Sequence, residues 1–223
     1  LFQLSCLRCK PLASNNELKQ SLLVVANEQH RFLVAEQLRE IKISSTLLLE
    51  PVGRNTAPAL TSAALYAEKF DDPVLFVTPA DHIIQDQEAF QKAALNAIDC
   101  AKDGGMTLIG VKPISPHTGY GYIKTNLSDH RVEQFVEKPS VQSAQKYISD
   151  GSYFWNTGIF VIRASVWLES LQAFRNDIAT ATREAWKENT LDREFVRPNT
   201  TLYEKIPSVS VDYAVVEKLP ESQ

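Results

Sequence analysis

In "LLLEPVGRNTAPAL", residues 47–60, an apolar run delivers Glu50 to a Pro-Val-Gly turn, and Arg54, Asn55 and Thr56 follow. A carboxylate at a strand end accepts two parallel hydrogen bonds. Guanine offers a ring N–H beside an exocyclic amine at that spacing; adenine and the pyrimidines do not. The turn would set Asn55 and Thr56 against the base edge or a ribose, and Pro58 falls in the first turn of the next helix, where a missing N–H does no harm. The same residues also suit a Glu50 that caps a helix or pairs with Arg54.

A second acid sits in "TPADH", residues 78–82. Hard divalent cations such as Mg²⁺ take oxygen ligands and are commonly held by one or two carboxylates plus substrate phosphates, so Asp81 is a candidate metal ligand. Capping of the following loop is the alternative, and His82 reads as a structural hydrogen-bonding residue. "HTGYGYI" (117–123) flanks Tyr120 with Gly119 and Gly121, and glycine there lets a ligand approach the main chain, unless the pair marks only a bulge. "FVEKP" (135–139) sets Glu137 beside Lys138, a carboxylate for hydroxyls next to an ammonium for phosphate. The pleat sends adjacent residues to opposite faces unless the strand twists or bulges; a surface ion pair is the ordinary alternative. "WNTGIF" (155–160) places Asn156, donor and acceptor in one group, before a glycine and an apolar strand. By itself that is a turn.

These residues need elements to position them, and the periodicity supplies a βαβ pattern. "SLLVVAN" (21–27) reads as a strand covered on both faces and therefore buried. Residues 28–41 follow with Phe32, Leu33, Ala35, Leu38 and Ile41 at helical spacing and Asn27 as N-cap. "STLLLE" is a second strand, 57–70 a second helix, and "PVLFVTPAD" (73–81) a third strand. Residues 86–105 form a third helix with Phe90, Ala94, Ala97 and Ile98 facing inward and Gly104 or Gly105 ending it. Strands at "MTLIGV", "GYIKT", "VEQFVEKP" and "YFWNTGIFVIRA" come next, interrupted by one short helix, "SVQSAQKYISDG". The fold class is α/β: a Rossmann-like three-layer sandwich with a mixed, mainly parallel sheet. In such sheets ligands bind beyond the carboxyl ends of the strands, which points Glu50 and Asp81 into one crevice.

Composition narrows the partners. The chain of 223 residues is 44% hydrophobic and carries a formal charge of −4 with no Lys/Arg block, which disfavours nucleic acid and anionic membranes and favours a small molecule. It fits one domain, 1–223. Cys6, Cys9 and Cys100 form no disulfide framework; Cys6 and Cys9 read as a reduced apolar pair rather than as half of a metal site. No apolar run reaches the roughly 20 residues of a membrane span, and the expected compartment is the cytoplasm.

"EPVGRNTAPA", "PADHII", "TGYGYI", "FVEKP", "YFWNTGIF" and "PSVSVDYAVVEK", in this order from about residue 22 to 218, resemble the mannose-1-phosphate guanylyltransferases, especially the domain in bacterial bifunctional guanylyltransferase/mannose-6-phosphate isomerases. The resemblance implies an enzyme that joins mannose 1-phosphate to GTP, giving GDP-mannose and pyrophosphate, with Mg²⁺ as cofactor. It implies that 1–110 is the nucleotide-binding half and 111–223 the sugar-binding half. It places Glu50, Arg54, Asn55 and Thr56 at the nucleotide. It places Gly119, Tyr120, Gly121, Glu137, Asn156 and Asp212 at the sugar, where Asp212 opens a helix as a signature residue that caps it or borders the pocket. It gives Asp81 and Lys138 catalytic roles, Asp81 as the metal ligand and Lys138 near the sugar phosphate. A homodimer is plausible for the family.

The sequence also departs from the family pattern. The family opens with a glycine-rich, arginine-bearing phosphate loop, and there is no glycine here before Gly53. The family continues past the "DYAVVEK" helix into a Trp-x-Asp-x-Gly motif with a second metal aspartate, whereas this sequence closes on "LPESQ". The isomerase domain is likewise not represented. Without a first strand, a central strand would lose a neighbour and expose unpaired N–H and C=O groups. The expectation is a portion of a longer functional enzyme, with an inactive remnant, a non-catalytic sugar-phosphate or nucleotide-binding module, or a transferase for another sugar 1-phosphate as alternatives.

Overall fold

The apolar runs and the amphipathic stretches between them fold into two sheets clothed by helices. The computed structural model describes residues 1–13 and 22–219. Ser21, expected at the head of the first strand, and the end of "LPESQ" lie outside them. Helix α1 (Phe2–Cys9) precedes β1 (Leu22–Asn27), which pairs in parallel with β2 (Ser45–Glu50) from Leu22 against Ser45 to Asn27 against Glu50. Helix α2 (Arg31–Glu40) makes the crossover, entered through a 3₁₀ turn in which the Asn27 side chain accepts the Gln29 N–H at 2.9 Å.

That turn overrides part of the helical reading. A 3₁₀ turn advances three residues per turn rather than 3.6, so the apolar face is out of phase with a helix begun at Glu28. Ala35 and Leu38 carry the buried stripe, while Phe32 and Leu33, expected inside, are 67% and 59% exposed. Phe32 is instead covered by the Arg31 guanidinium, 4.2 Å from its ring centre. Strand β1 is half-buried rather than buried, because β2 is its one strand partner among the described residues.

Helix α3 (Thr56–Ala67) leads to β3 (Val74–Val77), and α4 (Gln87–Lys102) to β4 (Met106–Val111). The third expected strand therefore stops at Val77, four residues short of Asp81. Asp86 caps α4 by accepting the Ala89 N–H at 2.9 Å, and the helix closes at Lys102, just before Gly104. Strands β5 (Tyr122–Thr125) and β6 (Val132–Val136), helix α5 (Val141–Asp150) and strand β7 (Tyr153–Arg163) follow. β7 organises the second sheet: one edge runs antiparallel to β4, while the other is shared by β5 at its start and β3 at its end.

The chain continues through α6 (Ala164–Phe174), α7 (Asn176–Lys187), β8 (Thr190–Asp192), β9 (Phe195–Arg197), α8 (Thr200–Tyr203) and α9 (Val211–Ala214). β9 returns to lie parallel to β2, giving the order β1-β2-β9-β8 in the first sheet. The α/β architecture is mixed as expected, but it is not mainly parallel: among the described residues the parallel pairings are confined to β1, β2 and β9, and the others, most of them gathered around β7, are antiparallel. The layering follows from side-chain alternation. Leu47, Leu49 and Phe195 face Cys6, Ala35 and Leu38, while Leu48 and Val196 face the core built on α3, α6 and α7. Cys6 is thus a small apolar residue of the core, its thiol pushed up to about 11 by burial.

Within that core the Trp167 indole N–H donates to Thr61 Oγ1 at 3.1 Å, both residues fully buried. Thr61→Val keeps the shape and strands the indole donor, so stability should fall by about 1–3 kcal/mol. Urea denaturation checks this; an unchanged midpoint would contradict it.

Candidate active site

Glu50 closes β2 behind three fully buried leucines, and its half-buried carboxylate is held from two sides. The Tyr203 hydroxyl donates to Glu50 Oε1 at 2.6 Å, and the Arg54 backbone N–H is a second donor. Burial pushes the Glu50 carboxyl above its ordinary range, and both donors oppose that by favouring the anion. The pairing of Glu50 with Arg54 is thus made through the main chain; the Arg54 guanidinium reaches the Glu204 carbonyl instead.

Asn55 adopts φ +65° with ψ −171°, a region sparsely populated by residues other than glycine. Its side chain accepts the Thr56 N–H at 2.8 Å and caps α3. Thr56 Oγ1 accepts the Val211 N–H at 2.9 Å, and the Ala57 N–H donates to the Val209 carbonyl at 3.1 Å. Both side chains remain exposed at this junction, each with an oxygen engaged by backbone.

The junction delivers Asp212, one residue beyond Val211, to the second cluster. Asn156 Nδ2 donates to Asp212 Oδ1 at 3.0 Å, and the Asn156 N–H donates to the Gly121 carbonyl at 2.8 Å. Gly121 leaves room for the cluster: a Cβ there would stand 2.6 Å from Glu137 Oε2 and 3.3 Å from Asn156 Cβ, so the Glu137 carboxylate would have to shift. Glu137 and Lys138 lie beyond the end of β6, where Lys138 takes φ +47° and breaks the pleat. The two side chains therefore meet, Lys138 Nζ to Glu137 Oε1 at 3.3 Å, with the lysine largely exposed. Burial first, and the neighbouring Asp212 second, push the Glu137 carboxyl up, with Lys138 opposing. Burial likewise raises Asp212.

Gly119 and Tyr120 lie in the turn before β5. The Gly119 N–H donates to His117 Nδ1 at 3.0 Å, and Tyr120 stacks on His117 with ring centres 4.1 Å apart and meets Trp155 edge-on at 5.2 Å. Sequence reasoning passed over His117, Trp155 and Tyr203. The aromatic pair was legible from its closeness to the glycines, whereas Tyr203 lies 153 residues from the group it holds.

Asp81 lies in the loop after β3. Pro79 of that loop packs over Gly158 of β7, where a Cβ would stand 3.5 Å from it, so the loop runs beside the strand that carries Asn156. His82 contributes its backbone carbonyl, which accepts from Arg8 at 3.2 Å. The Asp81 carboxylate is exposed and has no partner among the described residues. Those residues contain no group of three or more metal-ligating side chains. One free hard-oxygen donor of this kind fits a Mg²⁺ whose other ligands are substrate phosphates and water.

Residues 10–201 match the family model described as nucleotidyl transferase. The xanthan biosynthesis protein XanB of Xanthomonas campestris pv. campestris is 44% identical over 226 residues, covering 100% of this chain and 47% of its own length. A mannose-1-phosphate guanylyltransferase of Escherichia coli K12 is 42% identical over 215 residues, covering 91% and 45%. The chain spans about half the length of these curated relatives. Among solved structures, the mannose-6-phosphate isomerase of Helicobacter pylori superposes with a TM-score of 0.88 at 32% identity, over 99% of this chain and 85% of that one.

A carboxyl whose folded pKa is raised binds its proton more tightly in the native state, so native stability is lost as pH rises through the window above the ordinary glutamate value of 4.5. Glu137→Gln removes that penalty. At pH 7 its melting temperature should exceed that of the parent chain by about 2 °C or more, with the difference vanishing in acid. A lower melting temperature at pH 7 would contradict the assignment.

Proposed function

The chain belongs to the nucleotidyl transferase family, and from that premise we propose that it transfers GMP from GTP to mannose 1-phosphate, releasing pyrophosphate. The observation that carries this reading is the pairing of two sites across one junction. Glu50, held by two donors, offers acceptors to a guanine edge, and the cluster of Gly121, Glu137, Asn156 and Asp212 offers donors and acceptors to sugar hydroxyls. The names of the relatives, which concern phosphorylated mannose and xanthan biosynthesis, support the substrate and a role in polysaccharide formation.

In the proposed reaction a phosphate oxygen of mannose 1-phosphate attacks the α-phosphorus of GTP, the α–β bridging bond breaks, and pyrophosphate leaves. There is little covalent chemistry for the protein to do, so its residues act by positioning and charge. Glu50, with Arg54, Asn55 and Thr56 around it, fixes the nucleoside. Glu137, Asn156 and the Gly119–Gly121 turn fix the hexose, with Asp212 orienting Asn156. Lys138, exposed beside Glu137, is placed to neutralise the sugar phosphate. Asp81 would hold Mg²⁺, which supplies charge neutralisation at the phosphates. A homodimer in the cytoplasm is the setting that goes with this reading; no helix among the described residues is long and apolar enough to cross a membrane.

The test is pyrophosphate release with GTP, mannose 1-phosphate and Mg²⁺, on this chain and on the product of its full reading frame side by side. Release that requires both substrates is expected in the longer protein. Asp81→Asn should raise the Mg²⁺ needed for half-maximal rate at least about tenfold. Inactivity of both proteins would overturn the enzyme reading and leave a binding module.

A further inference from the structure

The residue behind Glu50 is as constrained as Glu50 itself. Tyr203 is fully buried. Helix α8, which ends on it, is pinned at its start by Asn199, whose Oδ1 accepts the Leu202 N–H at 3.0 Å and whose N–H donates to the Ala185 carbonyl at 2.9 Å. Its phenol ring and Trp186 line a crevice with Val25, Leu48, Glu50 and Ser62. Ser62 also flanks the Tyr203 hydroxyl, but the serine proton is already given to the Pro58 carbonyl at 3.0 Å. The tyrosine hydroxyl donates to Glu50 Oε1, at 2.6 Å. A carboxylate free to rotate at a strand end would satisfy many hydrogen-bonding patterns; one gripped by a buried phenol can satisfy few.

We propose that Tyr203 is a positioning residue for base selection: its hydroxyl locks Glu50 in one rotamer, so that the remaining lone pairs present acceptors in fixed register to a purine with two adjacent N–H groups. The inference rests on the reading of Glu50 as the base-recognising residue. Locking matters because discrimination against a base lacking one N–H depends on leaving a site group unpaired. A mobile carboxylate relaxes and forgives the loss. Inosine triphosphate is the natural probe, since hypoxanthine keeps the ring N–H of guanine and lacks its exocyclic amine.

The experiment measures equilibrium binding of GTP and of inosine triphosphate to the intact protein, without turnover, in the parent, Tyr203→Phe and Glu50→Gln forms. The parent should prefer GTP by about tenfold, the scale of one bidentate base contact. Tyr203→Phe should reduce that ratio to about threefold or less. Parallel weakening of both nucleotides, or an unchanged ratio, overturns the positioning role, because a merely structural tyrosine would affect both ligands alike. Glu50→Gln separates the two claims. If it leaves the preference intact, base recognition by Glu50 itself is wrong; if it abolishes the preference while Tyr203→Phe does not, only the tyrosine's role falls. Should Tyr203→Phe not fold, Asn199→Ala loosens α8 while keeping both the phenol and the carboxylate. A smaller loss of preference is then expected, and no loss overturns the proposal.

Discussion

The joint between the start of α3 and residues 209–211 is the constraint on which the site depends. One backbone hydrogen bond, Ala57 N–H to the Val209 carbonyl, and one hydroxyl contact, Val211 N–H to Thr56 Oγ1, close it. Upstream of the joint lie Glu50 and its turn; immediately downstream lies Asp212, which orients Asn156 over Gly121 and Glu137. Asn55, at φ +65° and ψ −171°, steers the chain into the joint and caps α3 in the same step. If the joint opened, Glu50 and the cluster around Asn156 would lose the direct link between the start of α3 and Asp212.

The site is held at some expense to stability. Glu50, Glu137 and Asp212 are all carboxylates whose burial disfavours the charged form, and such groups concentrate where function needs them. Each has a specific counterweight: Tyr203 and the Arg54 N–H for Glu50, Lys138 for Glu137, Asn156 for Asp212. The surrounding scaffold is buried. β7 carries Asn156 at one end and four consecutive buried residues, Ile159 to Ile162, at the other, so the same strand fixes both site and core.

Much of this was legible in the sequence, because the signals were local. The run ending in Glu50, the turn after it and the glycines around Tyr120 announce strand ends and close approaches, and "FVEKP" proved to break its pleat through the positive φ of Lys138. Asn55 and Thr56 also carried the ordinary signature of a helix N-cap before a proline in the first turn, a second role that a ligand-centred reading passes over. What was not legible is long-range. Nothing near Phe195 announces that β9 will lie against β2, and nothing near Tyr203 announces Glu50. Phe32 and Leu33 misled because a single 3₁₀ turn shifted the helical phase, a choice made by the Asn27 cap and the β1 exit rather than by periodicity.

The central claim is the proposal that Glu50 reads a base and the cluster of Glu137 and Asn156 reads a sugar across one joint. A crystal structure of the protein with GDP-mannose bound tests it most directly. The account predicts the guanine edge on Glu50 and the mannose hydroxyls on Glu137 and Asn156, each at about 2.7–3.2 Å, with the Thr56–Val211 contact intact between them. A base seated away from Glu50, or a hexose that leaves Glu137 and Asn156 untouched, would contradict it.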